Sequence, residues 1–306
     1  MMSAWRVAVF LFVGVSVMTP VPAPAQAQAA GALLPVVPGS NGLVAFDSQR
    51  SGNQDIWVVN SDGTGQTQLT TNSSSDLDPS WSPDGTRIAF TSYRTGNGDL
   101  YLIASDGSDI TRLTSNDAFD GEPAWSPDGT QIAFASTRSG NLDIWLITVS
   151  TGTTTQLTTD TRDDFSPAWK PNGTRITFTS NRLGNSNVYT MSADGGGQTA
   201  RTLSTTADGY PTYSPDGGKI AFQSNRIGNY DVWTMNENGC CLLKLNKSSR
   251  FDGHPAYAPD GSKIVFASSR SGIFDLYTVK PDGSGIAALV QNSAADDRPD
   301  WQAIVG

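Results

Sequence analysis

Short stretches in which hydrophobic and polar residues alternate recur along the chain, separated by clusters of Gly, Pro, Asp and Asn. Residues 87–92 alternate around Ile88 and Phe90, and residues 99–104 alternate around Leu100 and Leu102. Alternation with a period of two predicts β-strands. The intervening Ser-Pro-Asp-Gly and Asp-Gly sequences predict tight turns, because Pro pre-sets φ and Gly accepts positive φ. The pattern therefore predicts an all-β protein.

Aromatic residues and arginines return every 44 residues. A repeat of this length indicates supersecondary units that stack because none can bury its apolar face alone. One repeated position holds Trp81, Trp125, Trp169, Tyr213, Tyr257 and Trp301. The same step relates Phe46, Phe90, Phe134, Phe178, Phe222 and Phe266; Arg50, Arg94, Arg138, Arg182, Arg226 and Arg270; and Trp57, Tyr101, Trp145, Tyr189, Trp233 and Tyr277.

Four strand signals fall within each unit, which is the content of one blade of a β-propeller. Six copies predict a six-bladed propeller of four-stranded antiparallel blades over residues 41–302. The first copy begins with its second strand, and the chain ends with one extra first strand around Trp301. We therefore expect the C-terminal strand to complete the first blade and close the ring, which removes exposed sheet edges.

A competing innermost strand for the first blade lies upstream, because Pro35 is in register with Pro79. Positions 32 and 37, however, hold Ala and Val where the repeat has Asp and Trp. We favour the C-terminal strand and interpret residues 30–40 as a short linker.

The first 29 residues have the pattern of a cleaved signal peptide. A short segment with Arg6 precedes an apolar run over residues 7–18, and Ala25-Gln26-Ala27 follows as a cleavage sequence. The apolar run is shorter than the roughly 20 residues of a spanning helix. These features predict an exported, periplasmic or extracellular protein without membrane insertion.

The chain is acidic, with a formal net charge of −9 over 306 residues. Binding to nucleic acid or to an anionic membrane relies on basic residues that neutralise phosphate. The charge therefore argues against both partners.

The repeats resemble those of the TolB propeller family. The resemblance is carried by residues 120–129, Asp-Gly-Glu-Pro-Ala-Trp-Ser-Pro-Asp-Gly, followed by Phe134, Arg138, Gly140 and Trp145, and it covers about residues 41–302. It implies a six-bladed propeller. TolB also carries an N-terminal α/β domain and contacts the Pal lipoprotein and colicins; residues 30–40 do not encode such a domain. Asn187, where other units have Asp, and Lys170 in a Ser-Pro-Asp-Gly turn depart from the pattern.

Three rings of repeated polar residues are interpreted as scaffold, since a residue found in every unit serves what every blade needs. Carboxylates beside guanidinium groups form charge-assisted hydrogen bonds that tie loops together. A cation site under the Asp ring is the alternative. The first ring is Asp76, Asp120, Asp164, Asp208, Asp252 and Asp296, and the second is the six arginines from Arg50 to Arg270. A third contains Asp55, Asp99, Asp143, Asn187, Asp231 and Asp275.

The scaffold needs the same residue in every blade, whereas a bound ligand contacts each blade differently. The residue before the repeated Pro is different in each unit: Asp78, Glu122, Ser166, Tyr210, His254 and Arg298. We expect this position at the mouth of the central channel. Asp78, Glu122, Tyr210, His254 and Arg298 are the candidate ligand-binding residues, and the alternative is ordinary polar variation of a loop. His254 is the only histidine, the side chain whose charge switches most readily near neutral pH.

Sequence motifs for nucleophilic catalysis, nucleotide binding and structural zinc are missing, so no catalytic residue, cofactor or metal is assigned. Cys240 and Cys241 are interpreted as two unpaired thiols in a turn, with a vicinal disulfide or a bond between chains as alternatives. No role is assigned to them.

Three hypotheses follow. The first is a monomeric binding or scaffolding module, not an enzyme, that takes a protein or peptide on its acidic loop-rich face. The second is a saccharide lyase at the channel mouth, because some TolB-like propellers, the oligogalacturonate lyases, are enzymes; those hold a metal with several histidines. The third, a regulatory propeller as in the prolyl oligopeptidase and tricorn groups, requires a catalytic domain that this chain lacks.

Overall fold

A computed structural model describes residues 41–303, and every regular element in that range is a β-strand. The signal peptide expected at 1–29 and the linker expected at 30–40 lie outside the described residues. In the described part of the chain, no helix is long and apolar enough to cross a membrane.

The strands form six four-stranded antiparallel sheets, which are the blades. In each blade the first strand lies innermost, and the other three follow outward. The first strands of blades 2 to 6 and then of blade 1 are β4 (Asp76–Trp81), β8 (Asp120–Trp125), β12 (Asp164–Trp169), β16 (Asp208–Tyr213), β20 (Asp252–Tyr257) and β24 (Asp296–Trp301). The second strands of blades 1 to 6 are β1 (Val44–Ser48), β5 (Arg87–Ser92), β9 (Gln131–Ser136), β13 (Arg175–Ser180), β17 (Lys219–Ser224) and β21 (Ile264–Ser268).

The outer strands shorten toward the rim. The third strands are β2 (Asp55–Val59), β6 (Asp99–Ala104), β10 (Asp143–Thr148), β14 (Asn187–Ser192), β18 (Asp231–Asn236) and β22 (Asp275–Val279). The fourth strands are β3 (Thr67–Gln68), β7 (Thr111–Arg112), β11 (Thr154–Gln156), β15 (Thr199–Ala200), β19 (Leu243–Lys244) and β23 (Ala287–Val290). The predicted six blades of four strands are confirmed.

Ring closure also follows the prediction. The C-terminal strand β24 pairs antiparallel with β1, so that Trp301 lies opposite Val44 and Asp296 lies opposite Ser48. Blade 1 is therefore built from the two ends of the described chain, and the innermost strand of every blade is paired.

Apolar residues fill the space within and between blades. The six repeated phenylalanines are 0% exposed. Phe90 packs against Tyr101 with ring centroids 5.9 Å apart. The guanidinium of Arg94 stacks over both rings, 5.6 Å and 4.6 Å from their centroids. Equivalent aromatic and arginine residues occupy each blade, which explains why these residues repeat together.

Each repeated arginine pairs with the repeated aspartate of its own blade, at distances of 2.7–3.0 Å. The aspartates are 0% exposed. The pair thus joins the start of the innermost strand to the loop after the second strand, within one blade and not between neighbours. In the third ring, Asp143 accepts hydrogen bonds from Thr158 (3.1 Å) and Gln156 (3.0 Å) and so links the third strand to the fourth. These contacts support the scaffold interpretation.

Candidate functional site

Every innermost strand bulges where it faces the ring axis. The pairing of β4 with β5 shifts register between Leu77 and Ser80, and each other blade shifts at the equivalent place. One residue per bulge has a left-handed backbone with φ of 49–54°. Few residues other than glycine adopt this conformation unless the surrounding structure holds them in it. These residues, here called the mouth ring, are Asp78, Glu122, Ser166, Tyr210, His254 and Arg298.

A cavity of about 170 Å³ lies on the ring axis, lined by three consecutive residues from each innermost strand. The mouth ring is the first layer. The proline ring is the second: Pro79, Pro123, Pro167, Pro211, Pro255 and Pro299. The inner ring is the third: Ser80, Ala124, Ala168, Thr212, Ala256 and Asp300. The five candidate residues predicted from sequence therefore line one cavity, together with Ser166.

The backbone N–H groups of the mouth ring donate hydrogen bonds to side chains of the preceding blade, except that of Arg298, which donates to Asp297 of its own strand. Thr179 accepts from Tyr210 at 2.9 Å, and Gln223 accepts from His254 at 3.2 Å. In blade 3 the residue equivalent to Thr179 is an alanine, and the Glu122 carboxylate accepts the Ser166 N–H instead, at 2.6 Å.

The charged half of the mouth is formed by blades 1, 2 and 3. Arg298 Nη1 lies 3.0 Å from Asp78 Oδ1, and the Thr91 hydroxyl donates to Asp78 Oδ2 at 3.1 Å. The nearby Asp78 charge raises the pKa of Arg298 further above its already high value. Burial, with repulsion from Asp78, raises the pKa of Glu122. Binding of a cation close by would favour the ionised form of Glu122.

The aromatic half of the mouth spans blades 4, 5 and 6. Tyr210 and His254 meet edge to face with ring centroids 4.3 Å apart. Phe165 flanks Tyr210 at 6.2 Å, and Phe251 flanks His254 at 5.7 Å. Burial raises the pKa of Tyr210, which keeps the phenol protonated. His254 Nδ1 lies 2.6 Å from Asp297 Oδ1, which fixes the orientation of the imidazole.

Three carboxylates near the mouth were not found by the sequence analysis: Asp47, Asp297 and Asp300. Each is the only carboxylate at its position in the 44-residue repeat. The residues equivalent to Asp297 are Leu77, Gly121, Phe165, Gly209 and Gly253, and those equivalent to Asp47 are Thr91, Ala135, Thr179, Gln223 and Ala267. A comparison of every position of the repeat across the six units, and not only of the position before Pro, would have found all three.

These acids differ in their titration. Burial raises the pKa of Asp47 well above its usual range and that of Asp300 to about 7. Burial acts on Asp297 in the same direction, but the His254 ring and Arg298 outweigh it, so the pKa of Asp297 is lowered. Asp47 Oδ2 and Arg298 Nε have no hydrogen-bond partner among residues 41–303. The site therefore contains more carboxyl groups than basic side chains, and burial favours the neutral form of Asp47.

Within residues 41–303, no group of three or more His, Cys, Asp or Glu side chains is arranged to hold a metal ion. Cys240 and Cys241 lie away from the mouth, in the turn between β18 and β19, as exposed free thiols with Sγ atoms 2.8 Å apart. They take no part in the cavity.

Comparison with known proteins agrees with this architecture. The family model described as "TolB beta propeller domain" matches residues 116–210 and 204–304, and the "Tricorn protease N-terminal beta propeller domain" model matches residues 43–141. A protein TolB homolog from Chlorobium luteolum is 47% identical over 49 residues, which is 16% of this chain and 11% of the relative. The match therefore spans only a small part of that relative's length.

Solved structures share the fold over most of the chain. TolB from Acinetobacter baumannii superposes with a TM-score of 0.77 and 25% identity, covering 86% of this chain and 67% of that one. An oligogalacturonate lyase in complex with manganese has a TM-score of 0.55 and 16% identity, covering 82% and 73%. Because the TolB propeller model matches more than half of the sequence, the chain belongs to the TolB β-propeller family.

Proposed function

We propose that this protein is an exported binding module that takes a peptide segment of a protein partner at the mouth ring. The observation that carries the proposal is a contrast between positions of the repeat. The repeated phenylalanines and arginines are the same in every blade, whereas the six mouth-ring residues all differ and line one cavity. A TolB-like propeller is in general a binding or scaffolding module.

The size of the cavity favours a peptide. About 170 Å³ accommodates a side chain or a chain end, but not a folded domain. The rest of the peptide would then lie across the loops around the mouth, where Phe165 and Phe251 flank the opening. Aromatic side chains that are already held by packing add contact area at little entropic cost.

The electrostatics favour a basic partner. The chain carries −9 formal charge, and Asp297, whose pKa is lowered, adds a negative charge to the acids of the mouth ring. An acidic opening raises the rate at which basic partners associate, and this effect weakens with salt. The kinship with TolB proteins supports a periplasmic location, where we expect the protein to act as a monomer.

Peptide selection tests this function. We expect peptides chosen from a random display library on the wild-type protein to lose at least about tenfold in affinity for the double variant Glu122→Gln and Tyr210→Ser, since centrally placed contacts dominate binding. Serine is already present in the mouth ring as Ser166, so the fold should tolerate it. Affinities measured by isothermal titration calorimetry check the result.

The matched control changes two exposed residues on the opposite face, Arg87→Ala and Lys263→Ala. We expect this variant to bind the selected peptides as the wild type does. Selected peptides that bind both double variants with unchanged affinity would mean that the mouth ring is not the binding site.

A saccharide lyase remains the second candidate, and the arrangement of His254 with Asp297 at 2.6 Å beside Tyr210 is the observation that favours it. Such a pair can move a proton. Assays of oligogalacturonate cleavage with and without Mn²⁺ decide this candidate. Turnover that disappears in His254→Ala supports the lyase, and its absence in the wild type excludes this reaction.

A further inference from the structure

Asp300 is the one charged residue of the inner ring. The equivalent positions in the other blades hold Ser80, Ala124, Ala168, Thr212 and Ala256. The blade scaffold therefore does not require a carboxylate here. One oxygen of Asp300 accepts the Trp81 N–H at 2.7 Å, as Ser80 accepts the Trp125 N–H at 3.4 Å, so a neutral hydroxyl can serve the same structural purpose.

The other unusual acids each accept the backbone N–H of a mouth-ring residue, whereas Asp300 accepts the N–H of Trp81, a purpose that the Ser80 hydroxyl serves in blade 2. Glu122 and Asp297 accept the backbone N–H groups of Ser166 and Arg298 in the two places where the usual acceptor is an alanine. Asp47 receives the backbone N–H of Asp78. Asp300 lines the cavity, yet it forms no ion pair in the part of the chain that the structure describes.

The path from the mouth to Asp300 is apolar. The proline ring lies between the mouth ring and the inner ring, and Ala124, Ala168 and Ala256 line the cavity at the level of Asp300, with Ser80 and Thr212. At the entrance, Tyr210 and His254 present ring surfaces. A group with a slender apolar stem and a polar end matches the prolines and alanines that precede and surround Asp300.

We propose that the Asp300 carboxylate binds a primary ammonium group carried on an apolar arm, as on a lysine side chain of the peptide partner. This inference rests on the proposed function and specifies its ligand chemistry. A lysine side chain fits the path, because its methylene stem packs against apolar surface while its ammonium pairs with a carboxylate.

Ligand binding is then linked to pH. The free carboxyl has a pKa of about 7 because burial disfavours the charged form. A bound ammonium favours the charged form and lowers this pKa, so binding releases a proton below about pH 7 and affinity rises with pH up to that point. The other charged or titratable groups around the cavity are Asp47, Asp78, Glu122, Tyr210, His254, Asp297 and Arg298.

Three small probes of matched shape test the proposal: 2-phenylethylammonium, 2-phenylethanol and 3-phenylpropanoate. At pH 8 we expect the ammonium to bind at least about tenfold more tightly than the neutral and anionic probes, as measured by ligand-observed NMR. This preference should shrink about tenfold at pH 5.5, where Asp300 is protonated. In Asp300→Ala the preference should disappear, and Asp117→Asn, an exposed loop acid, should retain it.

Alanine occupies this position in three other blades, so we expect Asp300→Ala to fold; Asp300→Ser, which copies Ser80, is the second variant. Equal binding of the three probes, no binding of any, or a preference that survives both Asp300 variants would overturn the proposal. Display-selected peptides that need the mouth ring but contain no essential lysine or free amine would also overturn it while leaving the proposed function intact.

Discussion

Removal of residues 296–306 is expected to abolish cooperative folding of the propeller. The truncation takes away β24, exposes the inner edge of β1 and leaves Arg50 without its partner Asp296. It also removes Trp301, which is 5% exposed and packs in a cluster with Val44 and Phe46. Loss of a buried aromatic side chain alone lowers the free energy of unfolding by about 3–5 kcal/mol. Loss of the whole strand adds to this cost, and the total free energy of unfolding of a typical protein is only about 5–15 kcal/mol.

The measurement is urea denaturation followed by tryptophan fluorescence and circular dichroism. A synthetic peptide of residues 294–306 should restore the transition when added in trans, because an unpaired inner edge accepts a complementary strand. A scrambled peptide of the same composition is the control. A truncated protein that unfolds at the wild-type urea concentration would show that closure does not depend on β24.

The second large effect concerns the core. We expect Phe134→Ala to lower the free energy of unfolding by about 3–5 kcal/mol, because it leaves a cavity at a fully buried position. Phe134 packs in a cluster that contains Ala89 and Leu100 of the neighbouring blade, and the Arg138 guanidinium lies 5.2 Å from its ring. The change thus weakens both a blade and the contact between blades.

The matched control is Ile110→Ala, which removes apolar atoms from a side chain that is 43% exposed. Its effect should lie within about 0.5 kcal/mol of zero. Phe134→Leu should fall between the two. Similar urea midpoints for Phe134→Ala and Ile110→Ala would contradict the assignment of the repeated phenylalanines to the core.

The scaffold is predictable from this sequence because every blade meets the same physical demands. Phe90 and Arg94 recur at fixed spacing since each blade needs a buried ring and a guanidinium stacked on it, and the extra Trp301 indicates how the ring closes. The 44-residue step thus identifies strands, faces and closure without knowledge of any contact.

The site is only partly predictable. The mouth ring could be identified because each of its residues precedes the repeated Pro and because this position holds a different polar residue in every unit. Asp297 and Asp300 were missed because the equivalent positions in the other blades hold small or apolar residues. The sequence does not show that these two carboxylates lie close to the ring axis, because the strand bulge that places them there is a tertiary feature. The left-handed backbone of Tyr210 and His254 is likewise a tertiary effect, because local preference disfavours it.

The structure also changes which acidic residues are available to a partner. The six repeated aspartates are buried against the six repeated arginines, so they contribute little to the surface that a partner meets. The acids that distinguish the mouth are instead the ones that break the repeat. The proposed binding site thus includes several acids of blade 1, whose innermost strand is the C-terminal β24, that have no equivalent in the other five blades.

The most direct test of this account is to map a selected peptide on the protein by amide chemical-shift changes in solution NMR. We expect the largest changes at the mouth ring, residues 78, 122, 166, 210, 254 and 298, and at Asp300. Changes that cluster on the Ser-Pro-Asp-Gly turns of the opposite face, with the mouth ring unaffected, would contradict it.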